Sequence, residues 1–131
     1  MIMDMRFGGG KKVEAELNGF VHKTDQPEDH GGENTAPEPV DYFFASIGLC
    51  TAYTVLGFCQ SRGLPTEGIR VTARLEKDES GRRVARIRHE IRLPEGFPEK
   101  YEKAIVRAAD MCTVKRYLND PPAVETVTVK S

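Results

Sequence analysis

Three cysteines carry the reactive chemistry of this chain: Cys50, Cys59 and Cys112. A thiol is a small hydrophobe and, once ionised, a metal ligand and a strong nucleophile. The N-terminus, MIMDMRFGGGKK, has no basic segment leading into an apolar one. An odd cysteine count behind such a start does not read as a secreted disulfide framework and points to the cytoplasm. Cys50 and Cys112 lie 62 residues apart, on two segments that each turn an apolar face inward. Two readings of them are open. One is core packing. The other is a thiol pair, one attacking and one resolving, that passes through a sulfenic acid to a disulfide. Cys59 follows Cys50 by nine residues, about half a turn round a regular helix, so it faces away and reads as core. No Cys-x-x-Cys occurs, and His22, His30 and His89 have no ligand spacing with the cysteines. Neither a metal nor a cofactor is therefore expected. Gly8-Gly9-Gly10 lacks the third spaced glycine and the following helix of a dinucleotide site.

The elements that must hold these thiols differ in period. Met1, Met3, Met5 and Phe7 fall on one side with Asp4 and Arg6 on the other, and Val13, Ala15 and Leu17 alternate with polar residues between Lys12 and Leu17; both segments read as strands. Asn18-Gly19 marks a hairpin turn, and Phe20 to Lys23 the return strand. Asp25 to Pro39 is polar, with three prolines and two glycines, and so long a loop is often functional. Its carboxylates Asp25, Glu28, Asp29 and Glu33 read as solvated, with His30. Tyr42 to Cys59 then runs for 18 residues without a charge. That reaches the roughly 18-residue threshold for a membrane span. Ser46, Thr51, Thr54 and two glycines favour a soluble helix buried on nearly every side, ending at Arg62-Gly63 before Pro65.

Ile69, Val71, Ala73 and Leu75 alternate with polar residues, as do Ala85, Ile87, His89, Ile91 and Leu93 beyond a turn at Asp78 to Gly81. This is an antiparallel hairpin whose wet face carries Arg70, Arg74, Arg86, Arg88 and Arg92. His89, on the apolar side, reads as a satisfied buried histidine. Glu99 to Cys112 reads as an amphipathic helix with an apolar stripe of Tyr101, Ile105, Ala108 and Cys112. Thr113 to Leu118 continues it, and Val124 to Lys130 is a final strand. The order predicts an α+β fold with mostly antiparallel sheets, as a single domain over residues 1–131. A net charge of −1, aromatics at 8% and no Trp give no basis for a nucleic-acid or membrane partner.

Two segments bear a family resemblance. The run from Pro39 through Asp41 to Cys50-Thr51 resembles the first-cysteine signature of OsmC-like proteins, where a proline and an acidic residue precede an apolar helix carrying the cysteine. Cys112-Thr-Val-Lys-Arg-Tyr-Leu resembles their second-cysteine segment. The cysteine separation, the Gly31-Gly32 loop and the element order fit as well. The resemblance implies an OsmC-like fold and an intertwined homodimer in which two buried helices form a shared core. It implies interfacial sites holding both cysteines of one chain. It also implies a thiol peroxidase for oxidative-stress defence, which reduces organic hydroperoxides with Cys50 and Cys112 and is restored by a dithiol reductant. The family's supporting arginine has Lys11 and Lys12 in its place, with Arg6 nearest, and its glutamate corresponds to Glu38 or Asp41. Tyr42, Phe43 and Phe44 would supply an apolar lining. The alternative is a non-catalytic redox-sensing or small-ligand-binding dimer of the same fold.

Dimerisation follows from the residues alone. One sheet covers only one face of an uncharged helix, and a second copy is the economical cover for the other. Such obligate interfaces bury upwards of ~2,000 Å². Size measurement in dilute solution is expected to give twice the chain mass, and a well-folded monomer at micromolar concentration would refute the expectation.

Overall fold

The computed structural model describes residues 1–130. The chain divides into two compact units, Met1–Ala45 and Ser46–Ser131. In the first, β1 (Asp4–Phe7), β2 (Val13–Leu17) and β3 (Phe20–Thr24) form an antiparallel sheet in that order. Asn18 and Gly19 both have positive φ, 53° and 81°. This is the left-handed pair that a two-residue hairpin turn requires, and it sets Leu17 opposite Phe20. β1 begins at Asp4 rather than Met1. Met5, Phe7 and Phe20 are exposed, at 62%, 93% and 71%, so strand period correctly marks apolar positions that one chain leaves open.

The polar stretch after β3 is ordered, with a single 3₁₀ turn at Glu28–His30. Asp25 is 1% exposed and not solvated as its composition-based reading held. One carboxylate oxygen accepts from the Gln26 N–H, and the other from the Glu33 N–H, the Thr35 N–H and the Thr35 hydroxyl. A loop with few apolar residues has no core to fix it, so a buried acceptor gathers its amides instead. Gly32 completes the packing, because a Cβ there would lie 2.0 Å from the Gln26 carbonyl oxygen.

α1 spans Pro39–Ser61. Proline suits a first helical position, and the Asp41 carboxylate accepts from the Glu38 N–H at 2.9 Å to cap the start. By length and composition it is the one helix among the described residues that could cross a membrane. Its buried face, however, packs within the second unit. Val55, Phe58 and Cys59 join Ile105 and Ala109 in a core flanked by Val71 and Ile91. The opposite side is open, with Leu49 and Tyr53 at 70% and 72% exposure.

β4 (Arg70–Lys77) and β5 (Val84–Arg92) pair antiparallel, with Val71 opposite Ile91, Ala73 opposite His89 and Leu75 opposite Ile87. A register shift at Glu76/Lys77 puts Val84 on the half-buried side and exposes Ala85, reversing the expected order at that end. The arginines stand on the other face, where Arg74 pairs with Glu90.

Two further expectations are corrected. The helix read across Glu99 to Cys112, with its continuation through Thr113 to Leu118, is three pieces: a 3₁₀ turn at Glu99–Tyr101, α2 (Glu102–Ala109) and, beyond a break, α3 (Thr113–Asn119). Cys112 is the extended N-cap of α3, not the last turn of a long helix. Asp110 contributes to the break, since a carboxylate is unfavourable at a helix C-terminus. Val124 to Lys130 forms no strand. Valine and threonine suit a pleated, half-buried surface rather than imposing one, and this segment has no paired edge among the described residues.

Replacing Asp25 with Ala strands buried amide donors and is expected to lower Tm by several degrees. The Thr35 hydroxyl, with the Gln26 and Thr35 amides, lowers the Asp25 pKa from 3.8 to about 2 against the opposing effect of burial. Its folded pKa is depressed, so the stabilisation is complete above the unfolded value and is lost as pH falls from about 4 to about 2. Thermal melts of parent and Asp25→Ala across that range should converge at the acid end. A constant gap would refute the assignment.

Candidate functional site: a paired-thiol centre

Cys50 lies on α1 beside the buried stripe of Ile47 and Thr51 and is half-buried. Facing it is the break between α2 and α3. The break determines where several hydrogen bonds go. In an uninterrupted helix the Thr113 and Val114 N–H groups would bond the carbonyls of Ala109 and Asp110. With Cys112 extended, at φ −75° and ψ 150°, those amides leave that ladder, and both favour the Cys50 thiolate. The Lys115 N–H, also released, donates to Cys112 Sγ at 3.4 Å. The vacated Ala109 carbonyl accepts from Lys115 Nζ at 3.1 Å, and Asp110 takes the same ammonium at 3.2 Å.

Cys112 is 0% exposed and lies near Cys50. Burial pushes the Cys50 thiol up. The Val114 amide, the Cys112 side chain, the Thr113 amide and the Lys115 ammonium pull it down, and the net shift is downward. A thiolate stabilised by directed donors and an adjacent cation is a competent nucleophile. Cys59 is the contrast. It is 0% exposed in the apolar core, and burial raises its thiol despite the opposing charge of Arg62. It is a packing residue, as its helical phase implied.

His89 departs from the expectation of a satisfied histidine. Its Nε2 is buried without a hydrogen-bond partner, 3.9 Å from where a Cβ on Gly48 would lie. Burial and then Lys115 lower its pKa, while Asp110 opposes them, which keeps the imidazole neutral at neutral pH. Of the other anticipated residues, Arg6 is occupied by Glu14 and Glu16, each at 3.2 Å, and Lys12 by Glu33 at 2.7 Å. Glu38 lies 3.9 Å from His30, and Asp41 serves the helix start. Sequence reading missed Lys115 and the two amides. The available signal was Asp110-Met111-Cys112-Thr113, a weak helical run ahead of a lysine.

The family model for OsmC-like protein matches residues 31–127, and the chain belongs to that family. Among solved structures it is similar to a protein from Psychrobacter arcticus 273-4 named for osmotic stress induction and detoxification response. The TM-score is 0.71 and the identity 20%, over 87% of this chain and 85% of that one. It is also similar to the organic hydroperoxide resistance protein OsmC of Legionella pneumophila. There the TM-score is 0.55 and the identity 19%, over 89% of this chain and 87% of that one. At these identities the likeness is one of fold. No curated protein matches the chain.

A disulfide requires the two Cα atoms within about 7 Å, and Cys50 and Cys112 lie near each other. Mild oxidation followed by non-reducing peptide mapping is expected to recover a Cys50–Cys112 peptide. A Cys50–Cys59 bond would invert the assignment of faces.

Proposed function

We infer that this protein is a thiol-dependent peroxidase that reduces organic hydroperoxides with Cys50 and Cys112. The observation that carries the reading is the closeness of the half-buried Cys50 to the buried Cys112 at the start of α3. OsmC family membership, and a neighbour of this fold named for organic hydroperoxide resistance, support the reaction class. The Cys50 thiolate attacks the terminal peroxide oxygen. The O–O bond breaks, the alkoxide takes a proton and leaves as the alcohol, and Cys50 becomes a sulfenic acid. Cys112 then attacks that sulfur, water departs and a disulfide forms. A dithiol reduces the disulfide and restores both thiols. Met111, exposed next to Cys112 in sequence, favours an apolar peroxide over hydrogen peroxide.

The same reading takes the protein to be a cytoplasmic homodimer with residues 1–131 acting as one domain. The open side of α1 supports the dimer, because soluble monomers rarely leave large apolar residues such as Leu49 and Tyr53 together in water.

Peroxide consumption with cumene hydroperoxide and dithiothreitol tests the proposal. Cys50→Ser should fall to the uncatalysed rate. Cys112→Ser should complete one reaction per chain and stall with oxidised Cys50, while Cys59→Ser should keep most of the parent rate. If the parent consumes no more than one peroxide per thiol, a redox-sensing or ligand-binding dimer becomes the better description.

A further inference from the structure

Lys115 is the residue whose bonds are hardest to explain as surface chemistry. Lysines usually extend their ammonium into water and retain rotamer freedom. Here the side chain is 19% exposed and folds back along its own segment to the end of the preceding helix. Its ammonium rests on the Ala109 carbonyl and the Asp110 carboxylate, while its backbone N–H holds Cys112 Sγ. Ordering a long flexible chain opposes this arrangement. The ion pair offsets little of that cost, because the Asp110 side chain is 71% exposed and water screens it. What is gained is a closed turn between α2 and α3 and a positive charge held in place beside the thiols.

We propose that Lys115 is the positioning residue of the thiol centre, clamping the α2–α3 turn that presents Cys112 and supplying the fixed cation that favours the Cys50 thiolate. Two groups register that charge in the senses a cation requires: Cys50 on α1 is pulled toward its anion, and His89 on β5 is pushed away from its cation. With His89 neutral, the centre carries one fixed positive charge rather than two. The titratable groups facing one another here are Cys50 from α1, His89 from β5, Cys112 and Asp110 from the turn, and Lys115 from α3. Asp110 is the counterweight, since its carboxylate neutralises part of the Lys115 charge and raises His89 where Lys115 lowers it. The inference takes Cys50 as the attacking thiol from the peroxidase reading, but the clamp and the charge exist whether or not peroxide is the substrate.

The test follows alkylation of Cys50 by iodoacetamide against pH, quantified at the Cys50 peptide by mass spectrometry. Lys115→Met should slow alkylation at pH 7 several-fold, because the lysine is one of several groups that favour the Cys50 thiolate, and Lys115→Arg should restore most of the rate. Asp110→Asn should speed it, because the lysine is then less neutralised. In an NMR titration the His89 midpoint should rise in Lys115→Met. A purely structural role would make both Lys115→Met and Asp110→Asn slower, or move neither, and either pattern overturns the proposal. Should Lys115→Met not fold, an unchanged or slower Asp110→Asn overturns it alone. The readout involves no peroxide, so failure of parent turnover would sink the peroxidase reading while leaving this result intact.

Discussion

A 23-residue helix whose sole charge is Asp41, in its first turn, has to be covered, and the second unit is organised by that requirement. The apolar sides of β4 and β5 and the inner face of α2 meet one side of α1, and Ile105, Ala109 and Cys59 are shut off from water at the meeting. Removing a fully buried side chain of this kind costs about 2–5 kcal/mol, so the placement of α2 against α1 is firmly fixed. Every later feature of the site inherits this alignment. Cys50 lies at the border of the buried stripe, where one edge of the helix meets the end of α2.

At that border electrostatics takes over from packing. A thiol at the margin of an apolar core is disfavoured as an anion, and the helix carrying it has no spare donors, because its own amides are spent in its ladder. The compensation comes from the broken segment opposite. Breaking α2 before Cys112 forfeits helical hydrogen bonds locally, but it frees the Thr113 and Val114 amides, which favour the Cys50 thiolate, and lets the Lys115 amide donate to Cys112. The vacated Ala109 carbonyl is not left empty, since Lys115 Nζ fills it. One interruption therefore satisfies the backbone and builds the anion-stabilising side of the thiol pair.

The first unit settles a different problem, with similar economy. Between β3 and α1 the chain has too few apolar side chains to fold on itself. A single buried carboxylate draws in amides from Gln26 to Thr35, and a glycine at 32 lets two backbone segments approach within the reach of a Cβ. Polar composition correctly marked this stretch as a loop, but it read Asp25 as solvated, because composition does not report where hydrogen-bond donors converge.

Local patterning by itself determined five strands, the Asn18-Gly19 turn, the long apolar helix and Cys59 as core, while it left Cys50 and Cys112 open between packing and a thiol pair. These follow from side-chain period and backbone preference, which act over a few residues and are written directly in the order of the chain. Tertiary structure decided the rest. It moved Cys112 from the end of one helix to the cap of another, left Val124 to Lys130 without a strand partner, and assigned a cation from α3 to the thiols. Each of these outcomes depends on which distant group fills a vacated hydrogen bond or covers an apolar face. For the thiols that competition is resolved by burial and geometry between Cys50 and Cys112, 62 residues apart, and even the bond that Lys115 makes six residues back to Ala109 depends on a break that local period does not report.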